Sequence, residues 1–142
     1  MDVIREHLNA WPEYRAVILL QPTSPLRAEI DIQQVAESLL IGEASVVTVT
    51  KVEHPIQWSC VLEEGRLEPL FGKGNVTSRR QDLSETFRPN GAVFGASRSF
   101  LEANESFLVA GTLAVVMPAE RSIDIDTDFD LSMARLLVER EA

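Results

Sequence analysis

Asp124, Asp126, Asp128 and Asp130 alternate with Ile123, Ile125, Thr127 and Phe129. If residues 123–126 are extended, Asp124 and Asp126 point to one side with α-carbons about 7 Å apart. Two carboxylates held that close repel each other unless a cation joins them. Mg²⁺ takes one or two carboxylates together with phosphate oxygens and waters. The pair is therefore a candidate anchor for a nucleotide-bound Mg²⁺. Asp128 and Asp130 fall where a helical pattern begins, and acids there favour the helix dipole and fill caps. That ordinary role does not suit Asp124 and Asp126, because strand interiors disfavour aspartate.

A second constellation lies at Leu19 to Arg27, LLQPTSPLR. An apolar run from Ala16 to Leu20 ends in a polar loop stiffened by Pro22 and Pro25, and a helical pattern follows from Ala28. In open α/β sheets, ligands sit beyond the carboxyl ends of the strands. Gln21, Thr23, Ser24 and Arg27 occupy such a place. A plain strand-to-helix turn, with Ser or Thr capping the helix, accounts for the prolines. It does not account for the Gln and the Arg that flank them.

The third constellation is basic. The protein as a whole carries a net charge of −9, which argues against broad nucleic-acid binding. Residues 71–88 nevertheless hold Lys73, Arg79, Arg80 and Arg88 against Asp82 and Glu85. A basic island in an acidic chain suits a small anion, a phosphate or a sugar carboxylate. A solvated loop of mixed charge is the simpler reading on composition alone. Arg80 can grip such an anion through two parallel hydrogen bonds. Asn90-Gly91 reads equally well as a turn or as a site residue and its hinge. Phe94 and Phe107 read as core aromatics.

Other chemistries are poorly supplied. The 2 histidines and 1 cysteine are too few for a Cys/His metal site, and no Ser-His-Asp set is evident. His7 reads as an exposed helical residue and His54, before Pro55, as a turn residue. Cys60 lies between Trp58 and Val61 in an expected strand and reads as a buried thiol. A lone cysteine forms no internal disulfide, which fits a reducing, cytoplasmic home. At 142 residues with 45% hydrophobic side chains, the chain is one domain by length and can bury a core. No apolar run reaches membrane-spanning length and no signal-peptide pattern opens the chain.

The elements that must position these residues follow from periodicity. Ile4 and Leu8 mark the end of an amphipathic helix, broken at Trp11-Pro12. Residues 16–20 form a strand, apolar throughout as expected of a central parallel strand. Residues 30–41 form a helix with a stripe of Ile32, Val35, Leu39 and Leu40, ended by Gly42. Residues 45–52 form a Val/Thr strand, completing a βαβ-like unit in a parallel sheet. Residues 57–62 and 66–70, joined by Glu64-Gly65, read as a β-hairpin, followed by a long polar loop over 71–86. A strand returns at 91–96, then a short helix at 98–104, a strand at 112–117 stopped by Pro118, and a final helix at 128–141. Leu131, Ala134, Leu137 and Val138 form that helix's inner face, and Thr127 with Asp130 makes a capping-box pattern.

Three segments together resemble a known family. LLQPTSPLR, RRQDLSETFRPNGAVF (residues 79–94) and ERSIDIDTDFDL (residues 120–131) are similar, in order and spacing, to the signature segments of the acylneuraminate cytidylyltransferases, or CMP-sialic acid synthetases. The resemblance runs over essentially all 142 residues but matches only the later part of the family's sequence. The Gly/Ser/Lys-rich loop with which those enzymes hold the triphosphate has no counterpart in this chain.

The resemblance implies a three-layer α/β fold of Rossmann-like, nucleotide-diphospho-sugar transferase type. It would have a mostly parallel sheet, be truncated at its amino end and carry a protruding hairpin arm, about residues 57–86, for homodimer formation. It implies transfer of a cytidylyl group from CTP to a sialic-type nonulosonic acid, giving a CMP-sugar and pyrophosphate. Asp124 and Asp126 would hold the divalent metal. Arg80, Asn90, Phe94, Phe107 and Gln21 would surround the sugar acid, with Arg80 holding an anionic group. Three residues depart from the family pattern: Ser84 replaces a common proline, Phe94 a common tyrosine, and Gln57 a lysine of some relatives. An alternative is a non-catalytic sugar-binding or dimerising fragment. Another is a synthetase for a legionaminic or pseudaminic type of acid. Without the triphosphate loop, the isolated chain is expected to be a dimer with little or no synthetase activity.

Overall fold

The computed structural model describes residues 1–72, 74 and 76–141. It divides into two compact units, residues 1–50 with 89–142 and residues 51–88. The first holds a four-stranded sheet and four helices: α1 (Asp2–Ala10), β1 (Ala16–Leu19), α2 (Glu29–Leu40), β2 (Ser45–Lys51), β5 (Phe87–Ser97), α3 (Arg98–Asn104), β6 (Leu113–Val116) and α4 (Asp128–Glu141). The second unit holds the hairpin β3 (Cys60–Glu63) and β4 (Arg66–Pro69).

The sheet order is β1-β5-β2-β6. β1 pairs antiparallel with β5, and β2 pairs parallel with β6. Between β5 and β2, Ser97 N donates to Ala44 O while Val93 N donates to Thr48 Oγ1. As one strand advances the other retreats, so this pair is antiparallel too. β1, β2 and β6 therefore run one way and β5 runs against them. The sheet is mixed, and β1 and β2 are not the parallel neighbours that the βαβ pattern suggested. β5 lies between them, and pairing over that sequence distance leaves no local trace.

Burial follows this order. Residues 45–50 of β2 are all buried, Val46 and Val47 almost completely. β1 was expected to be the central strand, but it stands at an edge of the sheet and is only half-buried. One core cluster gathers Leu8, Val47, Val49, Ala96, Leu101 and Phe107; another gathers Val35, Val46, Ala92, Val93 and Met117. α2 lies so close to β5 that a Cβ on Gly95 would come within 2.6 Å of Val35 Cγ1. Only glycine permits that approach.

Helix ends match the expected positions more closely than helix faces do. α3 and α4 have the anticipated bounds, and Leu131, Ala134 and Leu137 are buried or half-buried. Val138 of α4 and Leu40 of α2, both assigned to inner faces, are exposed. Each sits in the last turn of its helix. α4 opens with a reciprocal cap: Thr127 N donates to Asp130 Oδ2 at 2.8 Å, and Asp130 N to Thr127 Oγ1 at 3.3 Å. The Thr127 hydroxyl bond to Asp130 holds that carboxyl below its ordinary range. Desolvation opposes this, and the Thr127 and Asp126 backbone N–H groups add to the lowering, which prevails.

In the second unit, Glu64 and Gly65 both take positive φ, 48° and 81°. This is the twist that a two-residue hairpin turn requires. β3 begins at Cys60 rather than at Gln57, because residues 56–58 form a 3₁₀ turn. Cys60 is half-buried, not the buried thiol expected, since a two-stranded ribbon has no second layer to cover it. Among the described residues no helix is long and apolar enough to cross a membrane.

Candidate functional site

The loop after β1 is held from within. Arg27 Nη1 donates to Gln21 O at 2.6 Å and to Ser24 O at 2.8 Å. Arg27 thus clamps the carbonyls of its own loop, which accounts for its place beside the two prolines. The following helix is not capped by Ser or Thr. Ala28 is its N-cap, and Ala28 N donates to Asp31 Oδ2 at 2.8 Å. Ser24 is engaged elsewhere: it is fully buried, with Oγ 3.4 Å from both Asn90 O and Asp124 Oδ1.

That serine joins the three signature segments, residues 19–27, 79–94 and 120–131. Gly91 has φ +79°, and a Cβ there would meet Gln21 Oε1 at 2.7 Å, Asp124 Oδ2 at 3.1 Å and Ser24 Oγ at 3.1 Å. Gln21 and Ser24 come from the first segment, Gly91 from the second and Asp124 from the third. Four residues spread over about a hundred positions therefore converge on one backbone point that only glycine can occupy.

Asn90 fixes this point. Its side chain is 1% exposed. Its Nδ2 donates to Ser122 Oγ at 2.9 Å and to Met117 Sδ at 3.2 Å. Its Oδ1 accepts from Thr48 Oγ1 at 2.7 Å and from Ala92 N at 3.2 Å. Both amide protons and both lone pairs are thus engaged inside the protein. The substrate-facing role assigned to Asn90 is not the one its amide performs here: the amide sets the backbone at Gly91.

The acidic segment is tied down at several points. Ile125 N donates to Thr23 O at 2.8 Å, which docks the acidic loop on the first loop. Arg121, just upstream, donates from Nε and Nη2 to the two carboxyl oxygens of Asp31 at 3.0 and 2.8 Å. Asp31 is 1% exposed. Burial pushes its carboxyl pKa up, but the Arg121 hydrogen bonds, the Ala28 N–H and the Arg121 charge together bring it below its ordinary value. Sequence reading missed this pair. The Ala28/Asp31 spacing signals a cap, but nothing local links Asp31 to a residue 90 positions away.

Residues 123–126 are not part of any strand, so the strand alternation expected of Asp124 and Asp126 does not apply. Asp124 is half-buried against Ser24 and Gly91, whereas Asp126 is exposed at the start of the α4 cap. Among the described residues no three His, Cys, Asp or Glu side chains gather around a metal-sized space. What gathers is an oxygen set, Gln21 Oε1, Ser24 Oγ and the Asp124 carboxylate. These hard donors fit Mg²⁺, which asks few carboxylates of a protein.

Beside this point Gln21, Phe94 and Phe107 line a cavity of about 290 Å³ together with Leu19 and residues 105–108. The rings of Phe94 and Phe107 lie 5.9 Å apart and tilted. Phe107 is buried and Phe94 half-buried, so they face the cavity while backing onto the core.

Arg80 belongs to the second unit. It is exposed on a 3₁₀ turn, Arg80–Asp82. With Lys51, Trp58, Arg79 and Glu85 it lines a cleft of about 760 Å³. Lys51 is ion-paired with Glu85, and Trp58 Nε1 donates to Ser78 O at 3.1 Å. Gln57 Oε1 is shut from water with no partner among the described residues. Lys73 of the basic island lies outside the described residues. His7 and His54 are exposed.

These segments have counterparts in proteins of known activity. Over 131 residues, 91% of its length, the chain is 32% identical to an N-acylneuraminate cytidylyltransferase of Streptococcus agalactiae serotype V. It is 28% identical over 142 residues to the Escherichia coli O18:K1:H7 enzyme of that name. The chain is a relative of the N-acylneuraminate cytidylyltransferases. A pseudaminic acid cytidylyltransferase of Campylobacter jejuni serotype O:2 is 32% identical over 127 residues, 87% of the chain. The chain spans 32% and 34% of the length of the first two relatives and 54% of the third. No protein-family model matches it.

Proposed function

We propose that this chain forms the sugar-acid and metal side of a cytidylyltransferase site of Rossmann-like type. The reaction joins CTP and a nonulosonic acid into a CMP-sugar and pyrophosphate. The observation that carries this reading is the meeting of Gln21, Ser24 and Asp124 at Gly91, beside a cavity lined by Phe94 and Phe107. Relatives named for this chemistry align over nine-tenths of the chain.

In this reading the sugar's anomeric hydroxyl oxygen forms a bond to the α-phosphorus as the α–β phosphoanhydride breaks; pyrophosphate leaves and the hydroxyl proton is released to solvent. The protein's contribution is orientation and charge neutralisation. Gln21 offers an amide to the sugar's polar groups, while Phe94 and Phe107 pack on its apolar face. Asn90 and Arg27 hold the two backbone segments that carry Gly91 and Gln21. Arg80, exposed in the cleft of the second unit, is a cation suited to an anionic group there. Asp124, with Asp126 nearby in sequence, would hold Mg²⁺, which when bound offsets charge on the phosphates. The hairpin β3–β4 would pair with a second copy.

Pseudaminic acid is a second candidate substrate, because one relative carries that name at the same identity. Calorimetric titration of the purified chain with N-acetylneuraminate and with pseudaminic acid separates the two. Saturable binding of one acid, lost in Gln21→Ala, is expected. If neither acid binds, or if Gln21→Ala binds as well as wild type, the assignment fails.

A further inference from the structure

We propose that Arg121, gripped by the buried carboxylate of Asp31, is the positioning residue of the acidic loop. Through it the N-terminus of α2 fixes where Asp124 stands. This rests on Asp124 being a site residue, as proposed above, but its geometry stands independently.

Asp31 performs two tasks with one side chain. Its Oδ2 accepts from Ala28 N, which closes the first turn of α2, and from Arg121 Nε; its Oδ1 accepts from Arg121 Nη2. Such a two-point grip fixes the plane of the guanidinium as well as its distance. Arg121 ends the short 3₁₀ turn Ala119–Arg121 that follows β6. The next residue, Ser122, donates to Pro118 O at 2.7 Å and accepts from Asn90 Nδ2. Three residues further on, Ile125 N is bonded to Thr23 O. Asp124 therefore lies in a span of four residues anchored at both ends. The upstream anchor ties to α2 and β5, and the downstream anchor to the loop that carries Gln21. Because α2 begins directly after that loop, Arg121 locks the acidic segment and the Leu19–Arg27 loop into one register. An ordinary stabilising ion pair needs none of this continuity, and Asp124 itself takes no part in the grip.

The test is amide hydrogen exchange on the full chain, followed by NMR, in wild type, Arg121→Lys and Arg121→Gln. Lysine keeps the charge and loses the two-point grip. Val35→Ala, in the buried core, serves as a variant that lowers stability elsewhere. In both Arg121 variants exchange at Ile125 and Ser122 is expected to quicken tenfold or more, while Val47 and Val49 in β2 stay protected as in wild type. Val35→Ala should quicken all four together. If Ile125 stays protected in Arg121→Gln, or quickens only in step with Val47 and Val49, the pair is merely a stabilising contact and the proposal is overturned. A parallel titration with Mn²⁺ should show at least tenfold weaker binding to folded Arg121→Lys. A wild-type chain that takes up no Mn²⁺ sinks the metal reading, and the exchange pattern still decides the role of Arg121.

Discussion

An alanine at Gly91 would have to place its methyl group 2.7 Å from Gln21 Oε1 while keeping φ at +79°. The left-handed backbone alone costs an ordinary residue about 1–2 kcal/mol. The contact adds to that, unless Gln21 withdraws. Gly91→Ala should therefore lower stability by about 2 kcal/mol in chemical denaturation and weaken sugar-acid binding through the displaced Gln21. Unchanged stability would mean that the oxygens around Gly91 are not held as described. At this scale the sequence was informative about which residues matter and less so about how. Gln21, Asp124, Phe94 and Phe107 do meet around one point and its cavity. Asn90 belongs there too, but as a buried four-bonded strut. A single asparagine looks the same in sequence whether its amide faces a ligand or a methionine.

Elements bring these residues together through pairings that sequence reading reaches unevenly. Helix ends were legible because caps and glycines act over three or four residues, as at Thr127–Asp130 and Gly42. The place of β5 between β1 and β2 was not, because nothing within any one strand records its neighbour. The Asp31–Arg121 pair was invisible for the same reason. Its energetics can be checked through pH. Asp31's carboxyl is held below its ordinary value of 3.8, so the folded chain binds that proton less readily than the unfolded chain. The stabilisation is complete above that value and is lost as pH falls through the lower, folded-state pKa. Asp31→Asn should cost about 3 kcal/mol at pH 7. That is the lower end for breaking a buried pair, because Arg121 keeps partial contact with water. Thermal unfolding should show the gap between wild type and Asp31→Asn closing below pH 3.8. A gap that stays constant down to pH 2 would show that the pair contributes no linked stability.

For the whole molecule, the hairpin unit poses a different question from the sheet unit. Leu62 and Leu67 face each other across β3 and β4 and are 71% and 70% exposed. Apolar pairs so exposed suit an interface, and we propose a homodimer through this hairpin. Light scattering should give twice the chain mass for wild type and a monomer for Leu62→Lys with Leu67→Glu. A wild-type monomer would remove the dimer from the account.

The central claim is that Gln21, Ser24 and Asp124 make one site at Gly91, and paramagnetic broadening by Mn²⁺ tests it most directly. Trace Mn²⁺ added to the labelled chain should broaden the amide signals of Gln21, Ser24, Gly91 and Asp124 before those of the acidic hairpin residues Glu63, Glu64 and Glu68. Asp124→Asn should remove the effect while the spectrum stays that of a folded protein. Broadening confined to the hairpin, or undiminished in Asp124→Asn, would contradict the account.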